Sequence, residues 1–222
     1  MMNGPIITKR DWTFLAVANV VALSFALVAA RYSLGWKAAS ASVVISALLL
    51  AAFCLRHPEP FFARLFLFGV GVGFTELLND TFLINQDILV YNPGGPFLFK
   101  TPLYMPFTWA LILVTNGTIA VWLYERQGPL VSMVTMAILS GLYIPGFEAL
   151  AARADWWHYQ HVRMVWGLAP AFVILGEALL AIPLPWMCQF LARRSVWVAL
   201  TLGAVEGLVV WATTILALKM VG

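Results

Sequence analysis

The sequence predicts an all-α fold, a polytopic membrane bundle of seven transmembrane helices forming one domain over residues 1–222. Three observations carry that prediction. Of the 222 residues 62% are hydrophobic and only 10% are charged, against about 25% charged in soluble domains. Mean hydropathy is +0.89. Apolar runs of about 20 residues recur along the chain, each long enough to cross a hydrocarbon core of about 30 Å.

The first span, about 12–31, follows Lys9 and Arg10. It is long and lacks a small-residue cleavage pattern behind a short apolar core, so it is expected to remain as a helix. The second, about 37–55, is bounded by Lys37 and Arg56. The third, about 61–84, carries Gly69, Gly71 and Gly73, which permit close backbone approach, and then Glu76, Asn79 and Asp80. A link follows that is too long for a tight turn, with strong turn chemistry in Asn92-Pro93-Gly94-Gly95-Pro96. Spans four and five are expected at about 102–124 and 129–151. The next link contains Asp155-Trp156-Trp157-His158-Tyr159-Gln160-His161, whose amphipathic rings suit a membrane–water interface. The sixth span is expected at about 164–188, and the seventh, about 196–218, follows Arg193 and Arg194.

This order puts both long links on the side opposite the N-terminus. The N-terminal side holds seven Lys and Arg (9, 10, 56, 64, 126, 193, 194) against six (31, 37, 100, 153, 163, 219), which leans it toward the cytoplasm of a bacterial inner membrane or its equivalent. These charges are scattered over short loops and form no basic stripe, so a nucleic-acid partner is not expected. Cys54 and Cys188 fall near helix ends on one side, where free thiols are expected and a disulfide is allowed.

Two stretches look alike. Gly73-Phe74-Thr75-Glu76 leads to Tyr91, Pro102 and Trp109; Gly146-Phe147-Glu148 leads to Tyr159, Pro170 and Glu177. Tyr91 to Pro102 and Tyr159 to Pro170 have the same spacing, as do Pro102 to Trp109 and Pro170 to Glu177. The pattern is that of a tandem helical-hairpin repeat in parallel orientation. It predicts a pocket between the two hairpins, a funnel with aromatic links at its mouth and carboxylates beneath.

An acid in mid-span costs roughly 2.5–3.5 kcal/mol on insertion scales, so Glu76, Glu177 and Glu206 must face protein or a wet cavity. Glu76, Asn79 and Asp80 share one helix face at i, i+3 and i+4. Two carboxyls this close in low dielectric do not both ionise readily, and a retained proton is what general-acid chemistry needs. The plainer reading of the same residues is an interhelical hydrogen-bonded knot. Trp109, Trp156, Trp157 and Trp166 are placed near the pocket, where aromatic faces stabilise cations; an interfacial belt accounts for others. His158, His161 and Asp155 make a poor metal set, being interfacial and short of a fourth ligand. No cofactor is expected. No phosphate-binding glycine loop, no Ser-His-Asp set and no Asp-x-x-x-Asp motif is present, and the last of these argues against prenyl transfer from a diphosphate.

With these residues placed, the chain resembles a group of small integral-membrane isoprenoid enzymes: carotenoid hydratases, membrane lycopene cyclases and the short fungal terpene cyclases. The carotenoid hydratase-like pattern reads here as Glu76, Tyr91, Gly95-Pro96, Pro102, Pro106 and Trp109, within about 70–185. The link from Asp155 to Tyr159 and the pair Gly176-Glu177 resemble the repeated hairpins of membrane cyclases. The Pro-x-Glu signature closest to lycopene cyclases is absent. The resemblance implies a hydrophobic isoprenoid substrate, protonated at an alkene or epoxide. It implies Glu76 or Asp80 as the acid, Glu177 as base or cation stabiliser, and Trp109 as a cation-facing wall. Asn79 and Glu148 would orient these groups, and Tyr104, Trp157 and Tyr159 would line the substrate. The competing expectations are a sterol or isoprenoid double-bond isomerase, a lipophile carrier, or a subunit of a membrane complex. Membrane lipids are expected partners in any of them, and self-association is allowed.

Overall fold

The computed structural model describes residues 7–57 and 60–222. Helix α1 (Lys9–Tyr32) starts where the Asp11 carboxylate accepts hydrogen bonds from the Thr8 backbone N–H and hydroxyl, both at 2.7 Å. It turns into α2 (Gly35–Arg56) through Ser33 and Gly35, both left-handed at φ 50 and 62. Little of α1 and α2 is buried, 17% of the apolar window of each, whereas 56% is buried in α3 (Phe61–Asn85). The α3 helix is therefore the centre of the bundle, and α1–α2 is a hairpin laid on its outside.

The glycines of α3 explain that central place. A step of two residues turns about 200° around a helix, so Gly71 faces away from Gly69 and Gly73. Gly69 and Gly73 admit the backbone of Ala110 and Pro106, and Gly71 admits that of Leu200 and Gly203. A Cβ at any of them would overlap main chain, so one helix is held closely from two sides.

After α3 the chain leaves the helical pattern for β1 (Leu89–Tyr91) and a tight hairpin of β2 (Phe97–Leu98) and β3 (Thr101–Pro102). Helix α4 (Met105–Arg153) has 49 residues, which at 1.5 Å each would run about 74 Å if straight, over twice a hydrocarbon core. It is not straight. Gly128 is non-helical (φ 77, ψ 174), Pro129 follows it, and the Asn116 amide donates to the Tyr143 hydroxyl at 2.9 Å. Side chains 27 positions apart touch only if the chain folds back, so α4 is two antiparallel arms, 105–127 and 129–153.

A second set of short strands follows: β4 (Trp157–Tyr159), then the hairpin of β5 (Met164–Val165) and β6 (Ala169–Pro170). Helix α5 (Ala171–Leu180) bends by 40° into α6 (Leu184–Leu191) across a break that contains Pro183, and α7 (Val196–Val221) closes the chain against α3 and α5. Among the described residues five helices are long and apolar enough to cross a membrane, or six if α5 and α6 form one bent span. This is a mostly helical bundle of the kind found in integral, multi-pass membrane proteins.

Two expected boundaries are corrected. The fourth span begins at Met105 rather than 102, because Thr101 and Pro102 pair with Leu98 and Phe97. The sixth is not helical until Ala171, because Met164 and Val165 pair with Pro170 and Ala169. Those apolar residues belong to interfacial turns.

Strands β1 and β4 pair antiparallel, with Leu89 opposite Tyr159, Val90 opposite His158 and Tyr91 opposite Trp157. Residues 68 positions apart (89 and 157, 91 and 159) exchange places across this ladder, with Val90 and His158 at its centre. The flanking bonds obey the same exchange: Asn92 N–H to Trp156 O, and Gln160 N–H to Ile88 O. Asp87 and Asp155 are both left-handed, at φ 55 and 63, and each ends its helix with the same pair of backbone bonds. The two long links thus lie together on one side of the bundle.

Candidate functional site

Beneath the β1–β4 ladder lies a cavity of about 530 Å³, within the ~300–1,000 Å³ usual for small-molecule sites. Its wall includes all nine residues singled out from the sequence: Glu76, Asn79, Asp80, Tyr104, Trp109, Glu148, Trp157, Tyr159 and Glu177. The α3 helix contributes the first three, with Glu76 and Asp80 continuing the Gly69–Gly73 stripe one and two turns further on, the two arms of α4 supply Trp109 and Glu148, and α5 supplies Glu177. Tyr91, Leu89, Trp157 and Tyr159 come from the ladder itself, which forms the roof.

Two acid–tyrosine pairs hang from that roof. The Tyr91 hydroxyl donates to Asp80 Oδ2 at 2.6 Å. The Tyr159 hydroxyl donates to Glu148 Oε1 at 3.4 Å, and the Trp157 indole N–H donates to Glu148 Oε2 at 2.7 Å. Burial pushes both tyrosine phenols up, and the carboxyls beside them, Asp80 for Tyr91 and Glu148 for Tyr159, push the same way. Both therefore stay protonated and act as donors. Each pair spans eleven positions, and the two lie 68 apart (80 to 148, 91 to 159). At this offset Glu148 stands level with Asp80, and Ile144 with Glu76. The Gly-Phe dipeptides at 73 and 146 are 73 apart, so they mark no equivalent positions.

Glu76 has its own setting. Its Oε1 accepts from the Asn79 amide at 3.4 Å, while Oε2 has no partner although the residue is only 3% exposed. Glu177 Oε2 accepts from the Ser140 hydroxyl at 3.5 Å, a weak contact. None of these four carboxyls makes an ion pair among the described residues, and no Lys, Arg or His lines the cavity. They are thus neither tied off as structural salt bridges nor turned outward to lipid.

The mouth is not where a funnel under aromatic links would put it. The exposed members of the lining are Asn19, Leu23 and Tyr143, all on α1 and α4. The cavity opens sideways between those helices, about midway along them, where Asn19 bonds Thr115 and Asn116 bonds Tyr143. The roof is shut on the outer side by the α1–α2 turn. Gly35 N–H bonds Ala154 O, the Trp156 indole bonds Gly35 O, and the Trp36 ring lies against Gly94 and Gly95, whose φ of 131 and 79 bring bare backbone to it. Tyr143 and Asn19 were not singled out from the sequence; a Tyr and an Asn in mid-span were the available signal.

Other expectations fall outside the cavity. Trp156 lines it, but Trp166 is 85% exposed on the β5–β6 turn. Glu206 is buried in α7 with neither oxygen partnered and does not line the wall. His158 and His161 are exposed, and no group of three or more His, Cys, Asp or Glu among the described residues is placed to hold a metal. Cys54 and Cys188 are free thiols.

Residues 77–221 match the family model described as a domain of unknown function, DUF6989. The match covers roughly two thirds of the chain, and the chain belongs to that family. No curated protein and no solved structure matches it.

Proposed function

We propose that this DUF6989 member is a membrane-embedded enzyme that protonates an alkene or epoxide of a hydrophobic isoprenoid, yielding a cyclised or hydrated product. The observation that carries this reading is the cavity: four carboxyls without a cation partner among the described residues share an apolar, aromatic chamber that opens sideways between helices. Water-poor surroundings and mutual proximity favour keeping a proton on such a cluster, and a proton to give is what the first step requires.

Glu76, with one oxygen free, is the proton donor, and Asp80 is its partner on the same helix face. The proton adds to one carbon of the double bond and leaves a carbocation on the other, or adds to the epoxide oxygen, whose C–O bond then breaks to give a hydroxyl and a carbocation. Trp109 and the ladder aromatics face that cation. Glu177 ends the reaction by taking a proton from a neighbouring carbon or from an attacking water. Asn79 orients Glu76, and the Glu148–Trp157–Tyr159 group shapes the opposite wall. The sideways mouth supports a substrate that arrives from the bilayer rather than from water.

The same reading assigns seven crossings, with the two α4 arms counted separately and α5–α6 as one bent span. It also assigns a tandem duplication of a helix–ladder–hairpin–helix unit. The exchange symmetry of the β1–β4 bonds supports the second assignment.

The test is mass spectrometry of lipids extracted from protein purified in a mild detergent out of an isoprenoid-producing host. An isoprenoid enriched over the bulk membrane extract is the expected result. Enrichment of ordinary phospholipid alone would contradict it.

A further inference from the structure

The buried wall atoms that lack any partner are all of one kind. Glu76 Oε2, Asn79 Oδ1 and Tyr104 OH are left unbonded, in residues 3%, 5% and 8% exposed, and each residue lines the cavity. An unpartnered buried polar atom costs about 1–3 kcal/mol, so three on one wall mark a place where a ligand supplies the missing contact. All three are oxygens. The same chamber holds four carboxyls, no basic side chain and several aromatic faces. The carboxyls, the Asn79 amide oxygen and the aromatic faces attract positive charge, and the Tyr104 hydroxyl can accept as well as donate.

We infer that the cavity is a binding site for a lipophilic monocation, an alkylammonium headgroup carrying an apolar chain. The headgroup sits beside Glu76, Asn79 and Tyr104, with an aromatic face as its second wall. The chain lies along the apolar part of the lining, which includes Leu15, Leu50 and Ile112. One carboxylate per bound cation keeps the dry chamber neutral, since an uncompensated buried charge is costly. An anionic amphiphile finds no donor cation, and a neutral one leaves the free oxygens short of positive charge. The inference rests on the wall's composition and not on turnover, so either can fail alone.

Isothermal titration of the protein in nanodiscs of zwitterionic lipid tests it. The probes are dodecylammonium, whose N–H groups can meet the free oxygens, its uncharged analogue with carbon in place of nitrogen, and dodecyl sulfate. The expected result is that the ammonium binds about tenfold tighter than the carbon analogue, as desolvated cation–aromatic and ionic contacts imply. Dodecyl sulfate should not bind at the site. Glu76→Gln should reduce the preference to about threefold or less while leaving the carbon analogue's affinity unchanged, which also shows that the variant is folded. Should Glu76→Gln not fold, Tyr104→Phe serves in its place. Equal affinity for ammonium and carbon analogue in the unaltered protein overturns the inference. So does a preference that survives in both variants.

Discussion

In the first half of the cavity wall, Asp80 accepts a bond from Tyr91, follows Asn79 and sits one turn from Glu76. In the second half, 68 positions on, Glu148 accepts from Tyr159 and Trp157, follows Phe147 and sits one turn from Ile144. Further along, Trp109 in the first half corresponds to Glu177 in the second, and Tyr104 to Phe172; all four line the cavity. The backbone device is common to both halves: a left-handed Asp after the helix, a strand in the shared ladder, a short hairpin, a returning helix. The chemistry is not. The first half holds the unpartnered oxygens, while the Glu148 carboxyl has both oxygens bonded. On the proposed reading, the shared backbone device carries one wall that reacts and one that supports it.

The comparison can be broken by exchanging acids for amides of the same shape. Asp80→Asn is expected to lower conversion by about a hundredfold, within the 10²–10⁴ range of general acid–base contributions. Glu148→Gln, in the supporting wall, should cost about tenfold or less, since an amide oxygen still accepts from the Trp157 indole. Product yield per unit of folded protein decides; equal losses in the two variants would dissolve the distinction between the walls.

The tyrosines sharpen it. Tyr91→Phe removes a 2.6 Å bond to a carboxyl and Tyr159→Phe a 3.4 Å one. The first is expected to reduce conversion about tenfold and the second about twofold, because hydrogen bonds to charged or acidic groups weaken steeply with length. Stability of the roof should change little in either, as the backbone ladder remains, and circular dichroism during heating checks that.

Smaller still is the contrast between glycines of the two leading helices. Gly71→Ala drives a methyl into the Leu200 and Gly203 backbone, so a loss of about 1–3 kcal/mol is expected. Gly146→Ala meets nothing within 4 Å and should leave the thermal midpoint within a degree or two, or raise it slightly through helix propensity. Comparable destabilisation by both would mean that α3 is not clamped as described.

Much of this was legible in the chain. The spans follow from hydropathy, and the acids stand out because lipid makes them expensive. Glu76, Asn79 and Asp80 could be put on one face from helical spacing alone. Other features were not legible, for physical reasons. Strands of two or three residues carry no periodicity, and the β1–β4 ladder joins residues nearly seventy positions apart. The apolar run at Met164 to Trp166 reads as helix until its pairing with Ala169 and Pro170 is seen. The likeness of the two stretches was visible in their Tyr and Pro spacings, whereas the 68-residue offset of the Asp80–Tyr91 and Glu148–Tyr159 bonds needed the structure. The sideways mouth depends on how far α1 stands from α4, which no local pattern encodes.

The most direct trial of the central claim compares lipid extracts of an isoprenoid-producing host expressing the unaltered protein or Glu76→Gln at matched levels. The account predicts a new isoprenoid, an isomer or a species heavier by one water, that appears with the first and is lost with the second. Identical extracts from both, or a product that persists undiminished without the Glu76 carboxyl, would contradict it.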